Sequence, residues 1–149
     1  MRLTARVDYA LRAACELAAA GGTPVSVERI AATQSIPASY LENILGSLRR
    51  SGLVHGRRGP EGGFVLARPA KEISLADVIR ALEGPLVHVR GERPDSVAYT
   101  GPATGLQHVW VALRAAERTI LEQVSLADVA ADRLPRKVRA LAGDPANWD

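Results

Sequence analysis

Residues 26–67 read SVERIAATQSIPASYLENILGSLRRSGLVHGRRGPEGGFVLA. The spacing of apolar and turn-forming residues here decides the fold. Ser26 stands where a helix N-cap is expected, Glu28 falls in the first turn, and Val27, Ile30 and Ala31 supply one apolar face. Gln34-Ser35-Ile36-Pro37 breaks that pattern. A second helix is predicted from about Ala38 to Arg50, with Leu41, Ile44, Leu45 and Leu48 inward and Ser39, Tyr40, Glu42, Asn43, Ser47, Arg49 and Arg50 outward. Two short helices joined by a few turn residues have the outline of a helix-turn-helix. Beyond Ser51-Gly52, Leu53-Val54-His55 and Phe64-Val65-Leu66-Ala67 are β-prone runs flanking a glycine-rich tip, which predicts a hairpin. The expected fold class is therefore mainly α with a small β-hairpin, a winged helix-turn-helix DNA-binding domain.

Upstream, Val7, Ala10, Leu11, Ala14, Leu17 and Ala18 recur at helical spacing and predict an amphipathic helix ending near Gly21-Gly22, with Cys15 on or beside its apolar stripe. Downstream, Ser-Leu-Ala-Asp-Val occurs at Ser74–Val78 and again at Ser125–Val129. Each copy reads as a helix start, with Ser as N-cap and Asp near the positive end of the helix dipole. Gly84 to Gly105 is rich in Gly, Pro and polar residues and reads as a loop or linker. A long helix of about five turns follows, running from Leu106 to Val124. The expected organisation is a winged helix-turn-helix domain over 1–84, a loop over 85–105, a dimerisation helix with a short following helix over 106–132, and a peripheral tail over 133–149.

With 149 residues, 47% of them hydrophobic and 23% charged, the chain can bury the core of one domain, and wholesale disorder is excluded. Its single cysteine permits neither an intramolecular disulfide nor an all-cysteine metal site, and fits a reducing, cytoplasmic location. No apolar run approaches the roughly 18 to 20 residues that span a bilayer, and no signal-peptide pattern opens the chain. Residues 1–71 carry ten Lys+Arg against five Asp+Glu, net +5, whereas residues 72–149 carry nine against eleven, net −2. That asymmetry places a polyanion partner on the N-terminal half. Phosphate-cradling glycine loops, nucleophile elbows and HExxH are all missing, and His55, His88 and His108 are far apart, so no catalytic or metal-ligating residue is assigned and no enzyme is expected.

The chemistry of DNA recognition assigns roles to the outward residues. Asn43 can pair an adenine edge, Glu42 can accept from cytosine or exclude a base, and Ser39 and Tyr40 suit phosphates. Arg57 and Arg58 flank glycines that let backbone approach a sugar-phosphate chain or an arginine enter a narrow minor groove. Thr4, Arg49, Gly59 and Gly62 complete the expected DNA-contacting set. Leu106, Val109, Trp110, Leu113, Ile120 and Val124 are the expected dimerisation residues, because the stripe they form is wider than one small domain can cover.

Met1-Arg2-Leu3-Thr4, Asp8-Tyr9-Ala10, Ser39-Tyr40-Leu41-Glu42, Leu48 to Val54, Arg58 to Phe64, Ile73 to Ile79 and Glu83-Gly84-Pro85-Leu86 together closely resemble the Rrf2 family of bacterial transcription regulators, which includes the IscR, NsrR and CymR types. The match runs in order over about residues 1–86, and the Trp110 helix with Ser125-Leu126-Ala127-Asp128 extends it to about residue 130. The resemblance implies a dimeric winged-helix DNA-binding protein whose long helix pairs with that of a second subunit. It also implies a loop that in many relatives holds an iron–sulfur cluster on three cysteines. This sequence departs there: residues 89–104 contain no cysteine, and Thr104 and Gln107 stand where an IscR-type protein places its last cysteine and a histidine. Asp8 matches a first-helix ligand of NsrR-like proteins, but without thiolates it is expected to be structural or ionic.

The expectation is thus a sequence-specific, repressing homodimer on a two-fold symmetric double-stranded operator, with no cofactor and no membrane partner. The alternatives are a regulatory module that binds a partner enzyme or regulator, and a sensor of another cofactor or small ligand through His88, His108, Tyr99 or Asp8.

Overall fold

A computed structural model describes residues 2–148, so Met1 of the Met1-Arg2-Leu3-Thr4 motif and Asp149 of the tail lie outside the described residues. The order of elements is α1 (Ala5–Ala19), α2 (Val27–Gln34), α3 (Ala38–Arg50), β1 (Val54–Arg57), β2 (Gly63–Leu66), α4 (Leu75–Glu83), α5 (Leu106–Leu121), α6 (Leu126–Ala130) and α7 (Arg136–Gly143). The predicted winged helix is present, with element ends within a few residues of the expectation.

Local chemistry explains the boundaries. The Thr4 hydroxyl accepts from the Val7 N–H and caps α1, and the Ser26 hydroxyl accepts from the Arg29 N–H and caps α2. Ser35 closes α2 in the left-handed region at φ 54°, and Pro37 then sets the entry to α3. The apolar faces of these helices meet in one core: Ala10, Ala13, Ala14 and Leu17 of α1 pack with Ile30, Ile36, Leu41, Ile44, Leu45, Leu48, Leu53 and Val54.

β1 and β2 pair antiparallel, with Val54 opposite Leu66 and Arg57 opposite Gly63. Val25 adds a short third rung, exchanging hydrogen bonds of 3.0 and 2.9 Å with Phe64. This rung ties the wing to the segment that enters α2. Gly63 is required there, because a Cβ at that position would lie 2.3 Å from the Val25 carbonyl oxygen.

The two Ser-Leu-Ala-Asp-Val copies are helix starts, as expected, and each carries a reciprocal capping box. They also pair with one another. The Leu75 N–H donates to the Val124 carbonyl at 3.0 Å, and the Leu126 N–H donates to the Ile73 carbonyl at 2.9 Å. This pairing draws the C-terminal segment onto the first domain and inserts Leu126, fully buried, into the core around α1. Residues 106–132 are therefore not separate from the 1–84 domain. Val124 corrects an expectation for the same reason: α5 ends at Leu121, and Val124, 2% exposed, is buried inside this chain instead of lying on a dimer face.

The 85–105 segment is no open linker. A tight turn joins Val89 to Glu92 through hydrogen bonds of 2.9 and 3.0 Å, and Pro94 and Val97 are buried. The C-terminal segment carries helix α7, which has no buried residue.

Candidate nucleic-acid interface

Helix α3 buries Leu41, Ile44, Leu45 and Leu48 completely. Its opposite side must then carry Ser39, Asn43, Gly46 and Arg50, since residues at i, i+4, i+7 and i+11 fall on one line. Ser39, Glu42, Asn43, Arg49 and Arg50 are all exposed. Pro37 provides no side-chain cap for α3 and its carbonyl accepts from the Tyr40 and Leu41 N–H groups, so the Ala38 and Ser39 N–H groups and the Ser39 hydroxyl are placed to receive an anion. Tyr40 is 56% exposed, its ring edge-on to Tyr9 at 6.1 Å, which fixes the plane while leaving the tip in water.

Asn43 is not free as the sequence suggested. Arg6, from α1, donates through Nη1 to the Asn43 Oδ1 at 2.8 Å and through Nη2 to the Ser47 Oγ at 2.8 Å. Arg50 donates to the same Ser47 Oγ at 3.0 Å. Two guanidinium groups thus flank the outer face of α3. Sequence reasoning missed Arg6, because only the packing of α1 across α3 brings residues 37 positions apart together.

Thr4 has a structural role that its place in the expected set did not include. Its hydroxyl caps α1 and donates to the Glu83 Oε1 at 2.5 Å, so its polar atom serves the chain itself. Gly62 also has a structural role: a Cβ there would lie 2.3 Å from the Arg57 carbonyl oxygen, so the chain's own turn requires glycine. Gly59 sits at φ +111° in open space, where the reason for glycine is the turn conformation. Arg49 is exposed at the root of the wing, with its Nη1 4.0 Å from where a Cβ on Gly56 would lie. Arg57 and Arg58 are exposed at the wing tip, and among the described residues neither joins an ion pair. Glu42 likewise has no ion-pair partner among them. Substituting alanine for Arg57 or Arg58 should weaken binding to every DNA sequence and flatten the log-affinity versus log-salt plot by about one unit per lost phosphate contact. An unchanged slope would take the wing off the DNA backbone.

Behind this face, Asp8 pairs with Arg12 at 3.1 Å, the ionic role expected of it. Arg12 also donates to the Gln34 Oε1 at 3.1 Å and to the Gln34 carbonyl, pinning the end of α2 to α1. Its guanidinium lies over the Tyr9 ring, 5.5 Å from the centroid.

On the far side, Asp95 organises the 85–105 loop. It takes hydrogen bonds of 3.1 and 2.9 Å from Arg93 and one of 3.2 Å from Arg114. The bond from Arg93 holds its carboxyl below the usual carboxylate range, with the backbone and Arg114 adding to the effect. Gln107 donates to the Asp95 carbonyl, and the Trp110 indole donates to the Tyr99 hydroxyl at 3.0 Å. Gln107, Trp110 and Arg114 therefore form the side of α5 that faces its own loop, which places Trp110 beside, not on, the exposed seam. That seam carries Leu106, Val109 and Leu113, which are 40, 54 and 39% exposed, while Ile120 is half-buried. No residue of α5 is buried. Cys15 is half-buried on α1; burial pushes its thiol up and Glu16 adds to the shift, so it is a poor source of thiolate.

A family model described as an iron-dependent transcriptional regulator, Rrf2, matches residues 3–132. The chain belongs to this family. It is 50% identical over 145 residues to Rv1287 of Mycobacterium tuberculosis, covering 97% of this chain and 90% of that one. The structure is similar to that of CymR, the global cysteine regulator of B. subtilis, with a TM-score of 0.76 and 32% identity over 89% of this chain and 98% of the other. T. potens IscR is similar at a TM-score of 0.72 and 31% identity, covering 89% of this chain and 88% of that one. As an Rrf2 protein the chain is a DNA-binding transcription regulator and not an enzyme. Among the described residues no helix is long and apolar enough to cross a membrane.

Proposed function

We propose that this Rrf2 protein is a cytoplasmic, cluster-free homodimer that represses transcription by binding a two-fold symmetric operator. The observation that carries the reading is the division of labour between two exposed surfaces: the polar, guanidinium-flanked face of α3 with the arginine-tipped wing, and the apolar seam of α5. In this reading α3 enters the major groove, Arg57 and Arg58 follow the backbone, and two α5 helices pack seam to seam. Two copies then present two recognition helices to half-sites about one helical turn apart. Inserting half a turn of DNA between the half-sites should abolish tight binding, and indifference to that insertion would sink the dimeric reading.

The family is described as iron-dependent, and the residues of this chain do not suit an iron–sulfur cluster. Cys15 is the one thiol in the chain, and in the 85–105 loop Asp95 is engaged by Arg93 and Arg114 and Tyr99 by Trp110, which leaves His88 and Glu92 as ligating side chains with no thiolate beside them. Among the described residues no three His, Cys, Asp or Glu side chains converge on a possible metal position. Even two copies bring only two thiolates, where such clusters commonly take about four protein ligands. Protein purified anaerobically and supplied with iron and sulfide should hold neither in stoichiometric amount. Stoichiometric iron and acid-labile sulfide, lost on Cys15→Ala, would overturn this.

A further inference from the structure

The centre of the α3 outer face is chemically one-sided. Asn43 carries both a carbonyl and an amino group, so in isolation it can pair bidentately with the N6 and N7 of adenine. Arg6 removes that symmetry. A guanidinium only donates, so the Asn43 Oδ1 must turn toward it, and the 2.8 Å contact from Nη1 fixes the carboxamide with its amino group directed away. The second bond, from Nη2 to the Ser47 Oγ at 2.8 Å, holds the guanidinium across one turn of the helix, and the Ser47 hydroxyl donates to the backbone carbonyl of Asn43 at 3.2 Å. Gly46, on the same outer line, leaves the helix surface bare beside Asn43; the nearest atom to a Cβ there would be the Arg50 Nη1 at 3.5 Å, so nothing in the chain's own packing demands glycine. A base edge can come close to this spot. What it meets is the Asn43 amino group with the positive charge of Arg6 behind it, and the Arg50 guanidinium alongside.

We propose that Arg6 is a specificity-determining positioning residue, which by holding the Asn43 carboxamide oxygen converts the middle of the recognition helix into a donor-only reader that selects guanine over adenine. The O6 and N7 of guanine are both acceptors and match such a surface, whereas the N6 amino group of adenine meets donors and a cation. The proposal rests on α3 being the recognition helix and specifies the base edge that it reads.

The test is selection from a randomised double-stranded DNA library, with the bound fraction sequenced for the full-length wild type and for Asn43→Ala, Arg6→Leu and Asn43→Asp. Asn43→Ala identifies the dependent base pair as the one whose preference it erases in each half-site. In the wild type that base should be guanine, and Arg6→Leu should shift the guanine-to-adenine ratio there by about tenfold toward adenine without changing preferences elsewhere. Asn43→Asp, which keeps Arg6 in place but presents only acceptors, should move the same position to cytosine or adenine. That variant keeps the test decisive if Arg6→Leu folds poorly. Adenine at that position in the wild type, or guanine retained in both Arg6→Leu and Asn43→Asp, would overturn the proposal while leaving α3 as the reader. So would a uniform loss of affinity in Arg6→Leu with a shallower salt dependence, which marks a phosphate contact alone. A wild type that selects no consensus would overturn the reading of α3 itself, and this proposal with it.

Discussion

A Val109→Glu, Leu113→Glu double variant is expected to sediment as a monomer and to lose tight operator binding. Leu106, Val109 and Leu113 lie at i, i+3 and i+7, so they form one stripe along α5, and the side of the helix occupied by Gln107, Trp110 and Arg114 is already committed to its own loop. Association seam to seam would bury on the order of a few hundred Å² of apolar surface per subunit, worth several kcal/mol at about 25 cal/mol per Å² before association costs. Two glutamates in each copy would place four carboxylates in that seam. Their desolvation and mutual repulsion exceed the apolar gain, so dissociation should be complete at micromolar protein. A monomer holds one half-site only, and losing the second linked contact typically costs about 10²- to 10⁴-fold in avidity. Circular dichroism should change little, because α5 has no buried residue. A double variant that still sediments as a dimer would put the interface elsewhere.

The second large effect is expected at Gly63. Its φ of +154° disfavours a side chain, and an added Cβ would lie 2.3 Å from the oxygen and 2.4 Å from the carbon of the Val25 carbonyl. The obstruction is backbone, with no flexible side chain to swing aside. Gly63→Ala must therefore break the Val25–Phe64 rung and its two hydrogen bonds. Two lost bonds at about 1 kcal/mol each, with the residual strain, give about 3 kcal/mol of destabilisation, or a melting temperature lower by about 10 °C in a chain of this size. The wing would also be released from the entry to α2, so operator and random DNA should both be bound more weakly. An alanine variant that melts with the wild type would show that the rung contributes nothing to stability.

Much of the site is legible in the sequence because its signals are local. The 3.6-residue spacing of Leu41, Ile44, Leu45 and Leu48 fixes which side of α3 is buried, and hence that Ser39, Asn43 and Arg50 face outward. The glycines between Arg57 and Phe64 predict the hairpin for the same reason: turn conformations are set by the residues that adopt them. The departures are long-range. Thr4, expected at the DNA, is also a cap tied to Glu83, 79 residues away in sequence. Gly62 is needed by its own turn, which already fills the space that a Cβ would occupy. Trp110 and Val124 share the apolar period of the long helix, but one is drawn to Tyr99 and the other lies beyond the helix end, buried by the pairing of the two Ser-Leu-Ala-Asp-Val copies.

The amino-acid sequence by itself determined the helix-turn-helix, the wing, the two capped helix starts and the concentration of positive charge in the first 71 residues, since each follows from neighbours within a few positions of one another. Only the tertiary structure decided that Arg6 holds Asn43, that Asp95 locks its loop to α5 through Arg114, and that Leu126 completes the core around α1. Those contacts join residues between 19 and more than 100 positions apart, and no local periodicity records them. Burying the apolar faces of α1, α3, α4 and α6 together draws Leu126 inward and leaves Arg6 within hydrogen-bond reach of Asn43.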